Sequence, residues 1–142
     1  RQAEKNTLRA EDVIDGILDN YFTLVNDLKC KGFRIICWGP IASQKECWNQ
    51  NPDFPRYGTE VERNKITEIF NHKLEERCRK HDVKFCSIFR HLISPDYLTD
   101  EQYISDQCHL SQRAMKLAIR ELVDKGVILI DKTRKIATIA EH

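Results

Sequence analysis

The sequence lacks any apolar run approaching the ~20 residues that a membrane-spanning helix requires. Residues 1–5 also lack the apolar stretch of a signal peptide. Charge of one sign is not in excess, because 23 Lys and Arg residues nearly cancel 22 Asp and Glu residues. This balance argues against a protein whose main task is to neutralise nucleic-acid phosphate or anionic lipid. We therefore expect a soluble protein that binds neither nucleic acid nor a membrane.

The length is that of about one domain, since 142 residues bury one sizeable core without help from disulfides or metal. The composition, with 41% hydrophobic and 32% charged residues, is ordinary for a globular protein. The sequence has no internal repeat and no low-complexity segment. We expect residues 1–142 to form a single domain or part of one. Because the sequence begins with Arg1, we expect that an upstream part of the protein is not included.

Cysteine pairs of the C-x-x-C type are also missing, although the chain has six cysteines. Cys37 and Cys86 lie inside apolar, strand-like runs, where a free cysteine behaves as a small hydrophobe. We expect most of the thiols to be reduced and structural, in a cytoplasm-like compartment. The six are Cys30, Cys37, Cys47, Cys78, Cys86 and Cys108.

Three segments have apolar residues at three- and four-residue steps, the period of an amphipathic helix. Thr59 and Glu62 have the spacing of a capping box at the start of the second segment. Gly32 and Gly126 supply the ends of the first and third. The expected helices cover residues 10–31, residues from 59 to about 81, and residues from 111, with Ser111 as N-cap, to about 126.

Short apolar, β-branched runs follow the predicted helices and predict strands at residues 33–38, 83–89 and 127–130, with a further extended segment at 135–140. Alternating helices and strands are typical of a parallel α/β sheet with right-handed crossovers. We therefore predict an α/β fold, a three-layer α/β/α arrangement of flavodoxin-like type. Three strands make a thin sheet with exposed edges, so we expect the later half of a larger doubly wound domain.

Two long loops, residues 39–58 and 90–110, leave the carboxyl ends of the first two predicted strands. Ligands of open parallel sheets bind outside these ends, and loops of this length in a compact domain are usually functional. We therefore expect the functional site at the carboxyl ends of these two strands, where both loops emerge.

The second loop carries Asp106 and His109 immediately before the third helix. In a turn, the carboxylate can accept a hydrogen bond from one ring nitrogen while the other nitrogen takes up a proton. Such a pair forms the base and the orienting acid of a catalytic triad. The spacing is also compatible with a surface turn in which the Asp caps a backbone group.

The block Tyr-Ile-Ser-Asp-Gln-Cys-His-Leu-Ser at residues 103–111 resembles the last conserved block of the SGNH (GDSL-like) hydrolases, Asp-x-x-His just ahead of the C-terminal helix. The strand and turn at residues 35–40 are similar to the mid-domain strand of these enzymes. The resemblance implies an SGNH-type α/β/α fold and ester hydrolysis, with His109 as general base and Asp106 orienting it. It implies no metal or organic cofactor.

The chain departs from this family in lacking the Gly-Asp-Ser block that carries the nucleophile and the blocks that build the oxyanion hole. The serines present have other contexts, so none is assigned as nucleophile. We expect the chain to be the C-terminal part of such a hydrolase, with a complementing N-terminal segment or a second copy as partner. The serines are Ser43, Ser87, Ser94, Ser105 and Ser111.

A substrate wall is a further hypothesis for the first long loop. Aromatics in a proline-rich loop more often pin the loop to the protein body, and that alternative is favoured. The candidate wall residues are Trp48 and Tyr57, with Phe54 and Arg56 beside them.

A zinc site is a weaker hypothesis, because the available ligands have irregular spacing that matches no structural zinc pattern. Its ligands would be Cys86, His91, Cys108 and His109.

Two functions remain open from the sequence. The first is an SGNH-type serine hydrolase acting on a small-molecule, carbohydrate or lipid ester. The second is a non-catalytic α/β binding or assembly module in which the Asp-x-x-His turn is structural.

Overall fold

The computed structural model describes residues 2–47, 52–53, 55–106, 109–131 and 136–140. Its helices are α1 (Gln2–Cys30), α2 (Glu60–Lys80) and α3 (Gln112–Asp124), and its strands are β1 (Ile36–Trp38), β2 (Lys84–Cys86), β3 (Ile128–Asp131) and β4 (Ile136–Ile139). Two single-turn 3-10 helices, Phe89–His91 and Glu101–Tyr103, lie between β2 and α3. None of the helices in the described ranges is both long and apolar enough to span a membrane.

The first helix forms where the apolar period predicts it, and it begins at Gln2 rather than at residue 10. Its buried residues recur at steps of three and four, so they line one face. That face packs against β1 and α2 in the main core. The core comprises Ile14, Leu18, Phe22, Val25, Cys37, Leu74 and Cys78.

The capping box predicted at the start of α2 is present. Glu62 N–H donates to Thr59 Oγ1 at 3.2 Å, and Thr59 N–H donates to Glu62 Oε2 at 2.8 Å. These contacts satisfy backbone donors that a helix start would otherwise leave without partners. At the other end, Lys29 Nζ of α1 donates to the carbonyl oxygen of Asp82 at 3.0 Å, which ties the ends of α1 and α2 together.

The first two strands pair in parallel, with Ile36 opposite Lys84 and Trp38 opposite Cys86. This pairing agrees with the predicted parallel sheet. Both strands are shorter than predicted, at three residues each.

Gly39, directly after β1, is required by a close approach to α2. A Cβ at this position would lie 1.9 Å from Asn71 Oδ1. Asn71 Nδ2 in turn donates to the carbonyl oxygen of Pro40 at 3.0 Å. The chain leaving β1 is therefore held directly against α2.

The third predicted strand does not join this sheet, and in this respect the predicted fold is wrong. Within the described ranges, β3 pairs antiparallel with β4, with Ile128 opposite Ile139, as a separate two-stranded sheet. Only residues 132–135 separate the two strands in the sequence. A short connection suits an antiparallel hairpin, because a parallel pair needs a crossover of about a dozen residues or more, and local pairing has the smaller loop-closure entropy.

The apolar run that predicts the second strand extends beyond the strand itself. The strand ends at Cys86 instead of at residue 89, and Ile88 and Phe89 are buried in a second cluster. This cluster comprises Ala42, Ile88, Phe89, Leu92 and Ala114.

Candidate active site

The loops at residues 39–58 and 90–110 meet at the first turns of α2, as expected for loops that leave the same edge of a sheet. The buried carboxylate of Glu60 accepts the backbone N–H of Thr99 at 2.6 Å and that of Glu46 at 3.1 Å. Each loop contributes one N–H, so a single side chain holds both loops.

Asn64, one turn further along α2, extends the connection and is fully buried. Its Oδ1 accepts the backbone N–H of Ser43 at 2.8 Å. Its Nδ2 donates to the Tyr97 carbonyl at 2.8 Å and to Thr99 Oγ1 at 3.1 Å. Buried polar groups are normally satisfied in this way, and these bonds fix both loops against α2.

Side-chain contacts nearer the surface hold the same loops. Lys45 Nζ donates to Glu101 Oε2 at 3.1 Å, and this contact raises the pKa of Lys45. Tyr97 donates its hydroxyl to Glu68 Oε2 at 2.6 Å, which raises the pKa of the Tyr97 phenol. Both contacts favour the protonated form of the donor, and both tie loop residues to neighbouring elements.

The turn that carries Asp106 and His109 is closed by an antiparallel bridge between Ile104 and Leu110. Inside this bridge, the Ser105 N–H donates to the His109 carbonyl at 2.8 Å. The turn is therefore closed at its base by backbone bonds.

Ser111 connects this turn to the 3-10 helix before it. It stands at the N-cap position of α3 as predicted, but its side chain makes no capping bond. The hydroxyl donates instead to the Gln102 carbonyl at 2.7 Å, and the Ser111 N–H donates to the Tyr103 carbonyl at 2.8 Å.

Within the turn, Nδ1 of His109 lies 2.7 Å from Asp106 Oδ2. The backbone N–H of His109 donates to Asp106 Oδ1 at 2.8 Å. The side chains are 54% exposed for Asp106 and 73% exposed for His109, so solvent screens their charges. An Nδ1–H bond to a carboxylate selects the tautomer in which Nε2 is the proton acceptor.

The turn therefore contains both the contact that a catalytic pair requires and the contact that a structural cap requires. The 2.7 Å bond to Nδ1 is the one that orients a general base. The 2.8 Å bond from the backbone N–H is the one that a structural cap would make. The catalytic roles of the two residues remain a prediction.

The residues of the predicted substrate wall are only partly described. Tyr57 is 81% exposed, and Trp48 and Phe54 lie outside the described residues. Arg56 donates to the Lys45 carbonyl at 2.6 Å, a contact that pins the loop to itself. Tyr57 and Trp48 stay predicted substrate contacts.

Among the candidate zinc ligands, Cys86 is buried and His91 is exposed, while Cys108 lies outside the described residues. The described ranges contain no group of three or more His, Cys, Asp or Glu residues arranged to hold a metal ion.

All five serine hydroxyls take part in hydrogen bonds. Ser43 Oγ accepts from Arg63 Nε at 2.6 Å, and Ser87 Oγ donates to Asn71 Oδ1 at 3.2 Å. None of the five is assigned as a nucleophile. Each hydroxyl also bonds to a backbone group: that of Ser43 to the Gln44 carbonyl, that of Ser87 to the Phe89 N–H, and those of Ser94, Ser105 and Ser111 to groups of their own loop.

Sequence reasoning missed the buried polar residues of α2, although the pattern contained a signal. Glu60, Asn64 and Asn71 stand in helical register with the buried Leu74 and Cys78. Polar residues at core positions indicate buried hydrogen-bonding partners.

A cavity of about 800 Å³ lies at the amino-terminal ends of the parallel strands, where β1 and β2 begin. The loops 39–58 and 90–110 leave the strands at their other, carboxyl ends. Ile35, Val83 and Ile139 form part of its wall, and Arg34 and Arg79 are among its charged lining residues. Neither Asp106 nor His109 lines it, so it is separate from the candidate site.

No protein-family model matches the sequence, and no curated protein matches it. The structure is similar to that of a proposed acylhydrolase from Bacteroides fragilis, with a TM-score of 0.56 and 17% identity over 79% of this chain and 52% of that chain. It is also similar to a GDSL-like lipase from Bacteroides thetaiotaomicron, with a TM-score of 0.57 and 16% identity over 79% of this chain and 53% of that chain.

At these identities the similarity shows the fold. The chain is a mixed helix-and-sheet structure that resembles the folds of GDSL-like hydrolases. It spans about half the length of the solved structures that it matches.

Proposed function

We propose that residues 1–142 belong to an ester hydrolase of the SGNH (GDSL-like) type, in which Asp106 and His109 supply the orienting acid and the general base. One observation carries the proposal: Nδ1 of His109 is 2.7 Å from the Asp106 carboxylate, in the loop between β2 and α3. The fold similarity to two structures named as an acylhydrolase and a lipase supports it.

In the proposed reaction, Nε2 of His109 takes the proton from a serine hydroxyl as the serine oxygen attacks the ester carbonyl. The resulting imidazolium is stabilised by Asp106 and returns the proton to the departing alcohol. Water then releases the acid from the acyl-enzyme with the help of the same base. These steps require no metal or organic cofactor.

The nucleophilic serine lies, in this proposal, on a complementing N-terminal segment outside residues 1–142. That segment would also complete the three-layer α/β/α domain. The substrate class is an acyl ester of a small molecule, carbohydrate or lipid, in keeping with the names of the two similar structures. The cysteine spacing in the sequence is the ground for also proposing a reducing, cytoplasm-like compartment.

The test is turnover of an aryl ester by the protein translated from the complete open reading frame. Asp106→Asn is expected to lower kcat by as much as ~10⁴-fold, because the amide neither holds the tautomer nor stabilises the imidazolium. His109→Ala is expected to be at least as damaging. Residues 1–142 alone should show no hydrolysis above background and no serine labelling by a fluorophosphonate.

Asp100→Asn is the matched control. Asp100 also accepts a backbone N–H, that of Gln102 at 3.1 Å, but it caps a 3-10 helix and does not orient a histidine ring. This variant should leave kcat nearly unchanged. If Asp106→Asn likewise shows normal turnover, the turn is structural, and the alternative of a non-catalytic binding or assembly module is favoured.

A further inference from the structure

The cavity at the amino-terminal ends of β1 and β2 is framed by several elements of this chain. Its lining comes from the ends of α1 and α2, from the starts of both strands, and from the β3–β4 hairpin with the residues next to it. Two cations of the lining bond to the hairpin side. Arg34 Nη1 donates to the Ala140 carbonyl, and Lys84 Nζ donates to the Lys125 carbonyl at 2.9 Å. These bonds link the hairpin to the parallel sheet across the cavity.

One part of the cavity wall is apolar. Phe33 is 60% exposed and Ile139 is 66% exposed, while Ile35 and Val83 are half-buried. Sites for small molecules have volumes of about 300–1,000 Å³, a predominantly apolar lining and a few polar groups that fix the ligand. The cavity, at about 800 Å³, has the size and the apolar wall of such a site.

The charged side chains of the lining are mostly cations. Among the described lining residues four are Lys or Arg, and Asp82 is the acidic one. In the described part of the chain none of the four cations forms a side-chain ion pair. A cleft lined by charge of one sign attracts ligands of the other sign. The four cations are Lys29, Arg34, Arg79 and Lys84.

A structural role accounts for the position of three of these cations but not for their charge. Lys29 Nζ donates to the Asp82 carbonyl at 3.0 Å, and Arg34 and Lys84 donate to the carbonyls of the hairpin side. A carbonyl group has no net charge, so these bonds hold the cations without neutralising them. The carboxyl ends of α1 and α2 each contribute about half a negative charge. With the Asp82 carboxylate included, an excess of about two positive charges remains at the cavity.

Arg79 is the cation that no structural bond occupies. It is exposed near the end of α2, and its guanidinium makes no hydrogen bond or ion pair with the other described residues. A guanidinium presents its N–H groups in a fixed fork that matches the two oxygens of a carboxylate. The Arg79 side chain is therefore available to an anionic ligand.

We propose that this cavity binds an amphipathic monoanion, of which a fatty carboxylate is the simplest example. Arg79 holds the anionic group, and Phe33 and Ile139 cover the apolar body. The Asp82 carboxylate on the same lining repels a dianion more strongly than a monoanion, because the repulsion grows with the ligand's charge. The proposal does not depend on ester hydrolysis, since the candidate active site lies at the other ends of the strands.

The test is a titration of octanoate into the protein translated from the complete open reading frame, followed by the amide chemical shifts in nuclear magnetic resonance. Arg79→Gln should weaken octanoate binding about tenfold or more, because hydrogen bonds between charged groups are among the stronger ones. Arg120→Gln is the matched control, with the same change in charge at an exposed position of α3 outside the cavity. It should change the affinity less than twofold. Neutral 1-octanol should bind at least tenfold more weakly than octanoate.

Chain length tests the apolar wall. From hexanoate to octanoate to decanoate, each added methylene should strengthen binding by up to about fourfold, the factor expected for one buried methylene. Phe33→Ala should reduce this gain, because it removes apolar surface from the wall. Met115→Ala, at an exposed position of α3 outside the cavity, is the control and should leave the gain unchanged.

The position of the bound octanoate separates this cavity from the candidate active site, because fatty carboxylates are also products of the proposed hydrolysis. In the titration the amide signals of residues 33–36, 82–84 and 126–127 should shift, and those of residues 104–111 should not. His109→Ala should bind octanoate with unchanged affinity.

Several results would overturn the proposal. Equal affinities of Arg79→Gln and Arg120→Gln, or equal binding of octanoate and 1-octanol, would show that the cations do not hold the ligand. Shifts confined to residues 104–111 would place octanoate in the candidate active site. Absence of binding would show that the cavity is not a site in the complete protein. The titration of the unsubstituted protein locates the ligand even if a variant does not fold.

Discussion

The substitution Asn64→Ala tests whether the buried network at the start of α2 holds the two long loops. Asn64 is fully buried and makes three hydrogen bonds, to the Ser43 N–H, the Tyr97 carbonyl and Thr99 Oγ1. A hydrogen bond contributes about 1 kcal/mol net, and a buried group left without its partner costs about 1–3 kcal/mol. Thr99 Oγ1 retains its bond to the Ser43 carbonyl at 2.7 Å. The expected loss in the free energy of unfolding is therefore about 3–4 kcal/mol.

Urea unfolding of residues 1–142, monitored by circular dichroism, measures this loss in the free energy of unfolding. In a thermal melt of a chain of this size, 1 kcal/mol corresponds to about 2–4 °C, so Tm should fall by roughly 10 °C. Asn20→Ala, at an exposed position of α1, is the matched control and should change the free energy of unfolding by no more than about 0.5 kcal/mol. A loss below about 1 kcal/mol for Asn64→Ala would contradict this account, because the network would then contribute little to loop position.

Two further predictions concern titratable groups. In the native protein a thiol reagent should label the exposed cysteines rapidly and the buried ones slowly, because the buried thiols are closed to the reagent. The hydrogen bond with Cys37 and burial raise the pKa of Cys78, burial raises that of Cys86, and the same hydrogen bond lowers the pKa of Cys37 to about 7, so slow labelling of Cys37 would depend on access alone. Fast labelling of all five described thiols would contradict the packing of the core. The exposed thiols are Cys30 and Cys47, and the buried ones are Cys37, Cys78 and Cys86. The hydrogen bond from Lys73 lowers the pKa of Asp15 below its ordinary value of 3.8. The contribution of this ion pair to the free energy of unfolding is therefore present above pH 3.8 and is lost as the pH falls through the lower, folded-state pKa. Asp15→Asn should therefore lower Tm at pH 7 more than at pH 2, and an equal effect at both pH values would argue against the role of this ion pair.

The candidate site combines local contacts with distant ones, and only the local contacts could be predicted. The 2.7 Å contact between Asp106 and His109 joins residues three apart, so their spacing in the sequence was enough to predict it. Asn64 bonds to residues 21 to 35 positions away, and no local pattern specifies those partners. Helical register places Asn64 at a core position, but only the folded structure shows which backbone groups it bonds to.

Local signals in the sequence were sufficient to predict the three helices, and the alternation of helices and strands along the chain predicted the parallel pairing of the first two strands. Thr59 and Glu62 mark the start of α2 through bonds made within one turn, and the apolar period of α1 identifies its buried face. Signals of this kind act over a few residues and do not depend on the rest of the fold.

Where the apolar segments pack depends on long-range contacts that these signals do not contain. β3 pairs with β4 rather than with the parallel sheet, and the run after Cys86 enters a second core cluster instead of extending β2. Val13, Ile17 and Leu24 have the same apolar character as the buried face of α1, yet they are half or more exposed. Hydrophobic burial has no direction of its own, so apolar pattern identifies residues that can be buried, while chain connectivity and neighbouring elements determine which of them are.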